Sequence, residues 1–151
     1  MSERVQARWL DREQQRIWRT YLLGVARVNE RLDDALRQFG IDLGEYEILV
    51  SLEEADQRRL RMSDLAEKVH QSRSRLTHTV ARMEKAGFVE REACPTDRRG
   101  VWAHLTDEGF ELLKEAAPSH VESVRNAFIE PVDPEDFRAL GRAFEAVLSA
   151  E

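Results

Sequence analysis

Hydroxyl, imidazole and guanidinium side chains are concentrated in one run, Ser72 to Lys85 (SRSRLTHTVARMEK). Leu76, Val80 and Met83 fall at i, i+4 and i+7, so on a helix they share one face. The opposite face collects Ser74, Thr77, His78, Ala81 and Lys85, with Arg75 and Arg82 on one flank. That set suits the edges of base pairs. Arg bonds guanine with two prongs, Ser and Thr bond either edge, and small side chains let the backbone approach. A plain solvated helix face is equally polar, so the run needs a second signal.

The second signal follows directly. Phe88 to Ala93 alternates apolar and charged residues, and Val101, Ala103 and Leu105 alternate with Trp102 and His104. Both are strand patterns. Between them lies Cys94-Pro95-Thr96-Asp97-Arg98-Arg99-Gly100, a turn-rich loop with adjacent arginines. A hairpin tipped with Arg suits the enhanced negative potential of a narrow minor groove. Asp97 is placed to hold one arginine. Upstream, Ser63 is an N-cap candidate for a short helix with Asp64 and Glu67 in its first turn and Leu65, Ala66 and Val69 on its apolar side. Ser72 is the N-cap candidate for the second helix, and Gly87 suits its end. Helix, turn, helix, strand, basic loop, strand is the order of a winged helix-turn-helix.

Other elements must hold that unit. Trp9 to Gly40 reads as one long helix without proline, with Trp18, Tyr21, Leu22, Val25, Val28, Leu32, Leu36 and Phe39 at three- and four-residue steps. Its predicted length, ~45 Å for about 30 residues, exceeds what one small core covers and implies burial against a second subunit. Leu43 to Glu54 predicts a shorter supporting helix with Tyr46, Leu49, Val50 and Leu52 toward the core. Asp56 to Arg61 reads as a polar, basic connection, its arginines either near a phosphate backbone or on a solvated loop. After the wing, Thr106 caps a helix running to about Ile129, with a kink expected at Pro118. Asp133 or Pro134 starts a last helix with Phe137, Leu140, Phe144, Val147 and Leu148 inward. The first and last helices are expected to intertwine across a two-fold axis.

Charge is segregated along the chain. The net charge is −6, which alone argues against a polyanion-binding protein. Residues 57–104, however, hold 11 Lys/Arg and 6 Asp/Glu, a net of +5, and the remainder holds 12 and 23, a net of −11. The positive charge lies where the helix-turn-helix needs it. No apolar run approaches the ~20 residues of a membrane span. The opening MSERVQARWLDREQQR lacks the apolar core of a signal peptide. The single Cys94 excludes an internal disulfide framework and suits a reducing cytoplasm. The expectation is a cytoplasmic protein, nucleoid-associated when bound to DNA.

The run DRRGVWAHLTDEG, Asp97 to Gly109, resembles the signature of the multiple-antibiotic-resistance regulator (MarR) family of bacterial transcription factors. LAEKVHQSRSRLTHTVARMEKAGFVER upstream is similar to the same family. The resemblance implies a homodimeric winged-helix protein on pseudo-palindromic DNA, a repressor released by a small phenolic or otherwise aromatic ligand. It further implies that Arg99 enters the minor groove with Asp97 bracing the wing, a role Arg98 can exchange. The family's usual ligand pocket lies between the dimer helices and the reading head. Trp18, Tyr21 and Leu22 are candidates to line it from the first helix, with residues of the second helix opposite. Oxidant-sensing members carry their cysteine near the start of the first helix, and this chain has none there.

The expected architecture is therefore mainly α with a small antiparallel β-hairpin wing. Residues 41–105 form the winged helix-turn-helix, and 1–40 with 106–151 form a helical dimerisation region. Candidate DNA-binding residues are Ser72, Arg73, Ser74, Arg75, Thr77, His78, Arg82, Asp97, Arg98 and Arg99. Of these Arg73 and Arg82 are assigned to phosphate, and Ser74, Arg75, Thr77 and His78 to bases. His70, His78, His104 and His120 show no metal-ligand spacing, and no nucleophile–base motif or phosphate loop appears, so neither cofactor nor catalysis is expected. The rival reading is a helical dimeric interaction protein without specific DNA binding.

Overall fold

The computed structural model describes residues 6–96 and 100–150. Helix α1 spans Arg12–Leu36 and continues as a 3₁₀ turn, Arg37–Phe39, that ends at Gly40 with φ +74°. It starts later than the expected Trp9. Asp11 caps it by accepting from Gln14 N–H, and the Gln14 side chain accepts from Asp11 N–H, a reciprocal box that fixes the start. Helix α2, Leu43–Glu54, is capped by Asp42 and buries Tyr46, Ile48, Leu49, Ser51 and Leu52, with Val50 half-buried.

The basic connection is not a loop. Asp56–Arg58 makes a 3₁₀ turn and Arg59–Arg61 forms strand β1. β1 leads without a break into α3, Met62–Lys68, whose N-cap is Arg61, so Ser63 lies within the first turn instead of capping it. The turn of the helix-turn-helix places His70 at φ +53°, with Gln71 N–H returned to Ala66 O at 3.0 Å. Helix α4, Arg73–Lys85, begins at Ser72, whose hydroxyl accepts from Arg75 N–H at 3.2 Å, as expected. It buries Leu76, Thr79, Val80 and Met83. Gly87, φ +87°, ends it in the left-handed region that only glycine adopts freely.

Strands β2, Val89–Ala93, and β3, Val101–Leu105, flank the wing loop. Among the described residues the sheet has three strands, not the two of a simple hairpin, in the order β1-β3-β2. β3 pairs antiparallel on both sides, with Arg61 and Glu92 opposite Trp102, and Arg59 and Glu90 opposite His104. The core joins Leu36 and Ile41 to α2, Leu65, Leu76, Val80, Met83, Val89, Ala103, Leu105 and Leu113.

Helix α5, Asp107–Val124, starts on the Thr106 cap and runs through Pro118. The helix is not interrupted at Pro118, and a π-helical stretch follows at Arg125–Ile129. Helix α6, Pro134–Ser149, is capped by Asp133. Its apolar stripe is inward only in part within one chain, Phe137 meeting Phe128 and Phe144 meeting Tyr21. None of its residues is buried, and Phe137, Phe144, Val147 and Leu148 are exposed. No helix among the described residues is long and apolar enough to cross a membrane.

Candidate nucleic-acid interface

Helix α4 presents Arg73, Ser74, Arg75, Thr77, His78 and Arg82 to solvent, with Ala81 half-buried between them. Its buried face fixes this orientation, because Leu76, Val80 and Met83 cannot leave the core without rotating the helix. The two flanks differ. Arg73 and Thr77 turn toward the wing and line a cleft of about 370 Å³ shared with Arg61, Ser63 and Arg91. Arg75, His78 and Arg82 turn toward α1 and α2, over a polar cavity that also holds Asp33 and Asp42. Ser74 stands between.

Several side chains are already engaged. The Ser72 hydroxyl is the helix cap. The Thr77 hydroxyl donates to Arg73 O at 2.8 Å, which leaves its oxygen able to accept and its methyl free for a thymine methyl. Arg82 Nη2 lies 3.5 Å from Glu45 Oε1 and 3.9 Å from Asp42 Oδ2. The wing residues Asp97, Arg98 and Arg99 lie outside the described residues. The base of their loop is closed by a bond from Cys94 N–H to Gly100 O at 2.8 Å.

Arg61 and Arg91 belong to this surface; Arg91 was not expected there, and Arg61 was expected only as one arginine of the basic connection, a phosphate contact or a solvated loop. Arg61 precedes α3, with its guanidinium 5.5 Å from the Trp102 ring centre, and Arg59 lies 4.6 Å from the same ring. Arg91 is fixed by Glu84 on α4. Its backbone N–H (2.9 Å), Nε (3.2 Å) and Nη2 (3.0 Å) all donate to that carboxylate. Their only sequence signal is positive charge within the basic stretch, which does not distinguish them from their neighbours.

The Glu84 contacts make wing attachment sensitive to pH. The Arg91 side-chain and backbone donors hold the Glu84 carboxyl below its ordinary value. A depressed carboxylate contributes stability above its unfolded value, about 4.3, and loses it as pH falls through the folded value. Thermal melting between about pH 6 and pH 3 is expected to show a smaller acid-induced loss for Glu84→Gln than for the native chain. Parallel losses would mean that Glu84 carries none of it.

The aromatic candidates separate. Trp18 stacks on Tyr21 at 5.5 Å and Tyr21 meets Phe144 at 5.7 Å. Tyr21 lines an apolar cavity of about 440 Å³ with Val25, Val28, Phe128, Leu140 and Phe144. Trp18 and Leu22 are outside it, 53% and 47% exposed. The second-helix residues expected opposite line another cavity, of about 530 Å³, where Tyr46, Glu47 and Val50 meet Lys68, His70 and His120. There His120 stacks on Tyr46 at 4.2 Å, and burial pushes the histidine down and the tyrosine up. Among the described residues no three His, Cys, Asp or Glu side chains converge as a metal site would require.

A reading helix with an exposed hydroxyl-and-arginine face, set beside a three-stranded wing, defines a winged helix-turn-helix of the DNA-binding class. The chain belongs to the MarR family, which its residues 41–101 match. It is similar to AbsC, a MarR family transcriptional regulator from Streptomyces coelicolor. The two are 44% identical over 94% of this chain and 96% of that one, with a TM-score of 0.87. A second regulator of the family from Streptomyces coelicolor, solved in complex with DNA, is 43% identical over 96% of this chain and 91% of that one, with a TM-score of 0.89. NadR, solved with 4-hydroxyphenylacetate, is 25% identical over 99% and 100% of the two chains, with a TM-score of 0.69. The chain spans about half the length of the curated regulators it matches, 34%, 66% and 51% for three of them.

Proposed function

We propose that this chain is a transcriptional regulator that binds a pseudo-palindromic DNA site as a homodimer and acts as a repressor that a small aromatic or phenolic effector releases. The observation that carries the reading is the α4 surface, where Ser74, Thr77 and His78 stand between Arg73 on the wing side and Arg75 on the other. Residues 41–105 form the reading head, and 1–40 with 106–151 form the dimerisation region. Two copies of α4 about 34 Å apart enter successive major grooves, and Arg99, with Asp97 and Arg98 beside it, takes the flanking minor groove. Phosphate contacts supply most of the affinity and its salt dependence. The solved relative on DNA supports the DNA partner. NadR with 4-hydroxyphenylacetate supports an aromatic effector, for which the cavities at Tyr21 and at Tyr46 are the available seats. An effector acts only by binding one spacing of the reading heads better than the other. On this reading the protein works in the cytoplasm, on chromosomal DNA, without a cofactor.

Selection from a random duplex library, followed by titration at several salt concentrations, tests the reading. Arg73→Ala is expected to weaken binding to every sequence and to reduce the salt slope by about 1 per protomer. Arg75→Ala is expected to cost about 1–3 kcal/mol and to relax preference at one position in each half-site. Arg99→Ala should weaken the selected site. Enrichment of no sequence by the native dimer sinks the proposal.

A further inference from the structure

Arg82 lies on the flank of α4 that meets the junction between α1 and α2. Near the end of α1, Asp33 Oδ1 accepts from Leu43 N–H at 2.6 Å. The preceding residue, Asp42, caps α2 through Oδ1, which accepts from Glu45 N–H at 2.7 Å. Its other oxygen lies 3.9 Å from Arg82 Nη2, and Glu45 Oε1 lies 3.5 Å from the same nitrogen. A continuous run of polar contacts thus passes from α1, through the start of α2, to α4.

We propose that Arg82 is a positioning residue that sets the pose of α4 against α1, and with it the separation of the two reading helices in the dimer. It rests on the DNA-binding reading above and replaces the phosphate contact expected for this residue. Two carboxylates within 4 Å of one guanidinium nitrogen already supply the anion a phosphate would supply. The Glu45 side chain is only 15% exposed. Burial and Asp42 push its carboxyl up while Arg82 pulls it down, so withdrawing Arg82 to the DNA leaves a poorly solvated carboxylate uncompensated. Arg73, on the other flank, has no carboxylate at ion-pair distance among the described residues, and it keeps the phosphate role.

The test uses a duplex selected in vitro by the native dimer, rebuilt with one base pair inserted or removed between the half-sites. One base pair shifts them by about 3.4 Å and about 34°. The native dimer is expected to prefer the selected spacing by about tenfold or more. Arg82→Ala is expected to reduce that preference to about threefold or less while the salt slope stays native. Asp42→Ser keeps the helix cap and removes the charge, so it should reproduce the effect although it deletes no basic residue. Melting curves confirm that both variants fold. A lost slope of about 1 per protomer with the spacing preference intact makes Arg82 a phosphate contact and overturns the inference. Unchanged preference in both variants also overturns it. Enrichment of no sequence overturns the DNA-binding reading and this inference together.

Discussion

Replacing Val147 and Leu148 with glutamate is expected to give a folded monomer whose affinity for a two-half-site duplex falls by about 10²–10⁴-fold. Within one chain these residues are mostly uncovered, being 66% and 84% exposed, and α6 buries no residue at all. The matching surface is on α1, where Ile17, Trp18, Leu22, Leu23 and Val25 are exposed and only Leu32 and Leu36 are buried. Apolar exposure of this extent marks an interface, and two buried, unpaired carboxylates are costly there. Little of either side chain is covered within the protomer, so helical content should persist. The remaining affinity is that of one reading head. Sedimentation equilibrium at micromolar concentration reads the association state, and titration against duplexes with one or two half-sites reads the valency. A variant that stays dimeric would place the interface elsewhere.

Gly109→Ala is expected to cost about 3 kcal/mol, toward the upper end for overpacking, and to lower the melting midpoint by about 10 °C at fixed protomer concentration. A Cβ at this position would lie 2.2 Å from Phe88 O and 2.8 Å from Leu105 Cδ1. The first neighbour is backbone and cannot rotate away. It is also held, because Thr106 N–H donates to Phe88 O at 3.2 Å and the Thr106 hydroxyl donates to Gly87 O at 2.6 Å. The same hydroxyl accepts from Gly109 N–H at 3.0 Å. The first turn of α5 is therefore clamped onto the turn that leaves the reading helix. A variant melting within about 2 °C of the native protein would show that the α4–β2 turn yields freely.

That clamp gives a physical reason for the end of the motif DRRGVWAHLTDEG, which supplied the family resemblance. Thr106 is its cap and Gly109 its close approach. Elements governed by local rules were legible in the same way. α2 and β3 occupy the expected residues, Ser72 caps α4, and Gly87 ends it. The start of α1 was also written locally, as Asp11 followed by Gln14, but apolar spacing drew the boundary outward to Trp9. What depends on distant partners was not legible. β1 is three residues, Arg59-Leu60-Arg61, too short to show alternation, and it is a strand only because β3 lies alongside. Arg82 looks like any basic flank residue until Asp42 and Glu45, some forty positions earlier, are brought beside it. Arg61 and Arg91 acquire their place from the fold in the same way. The α6 stripe was recognised as apolar, but a single chain covers it only in part, at Phe137, Leu140 and Phe144, and leaves Val147 and Leu148 exposed.

The separation of charge between the segment 57–104 and the rest of the chain has a dynamical consequence for a protein that binds DNA as proposed. Residues 57–104, net +5 in a chain of net −6, make the charge distribution polar, and in a two-fold dimer the components along the symmetry axis add. Near a duplex the field exerts a torque as well as a pull. It turns the basic segment toward the polyanion and the acidic remainder away, which disfavours orientations that cannot dock. Because screening sets in beyond about 10 Å at 0.1 M salt, the molecule tumbles freely until the last nanometre and is aligned only there.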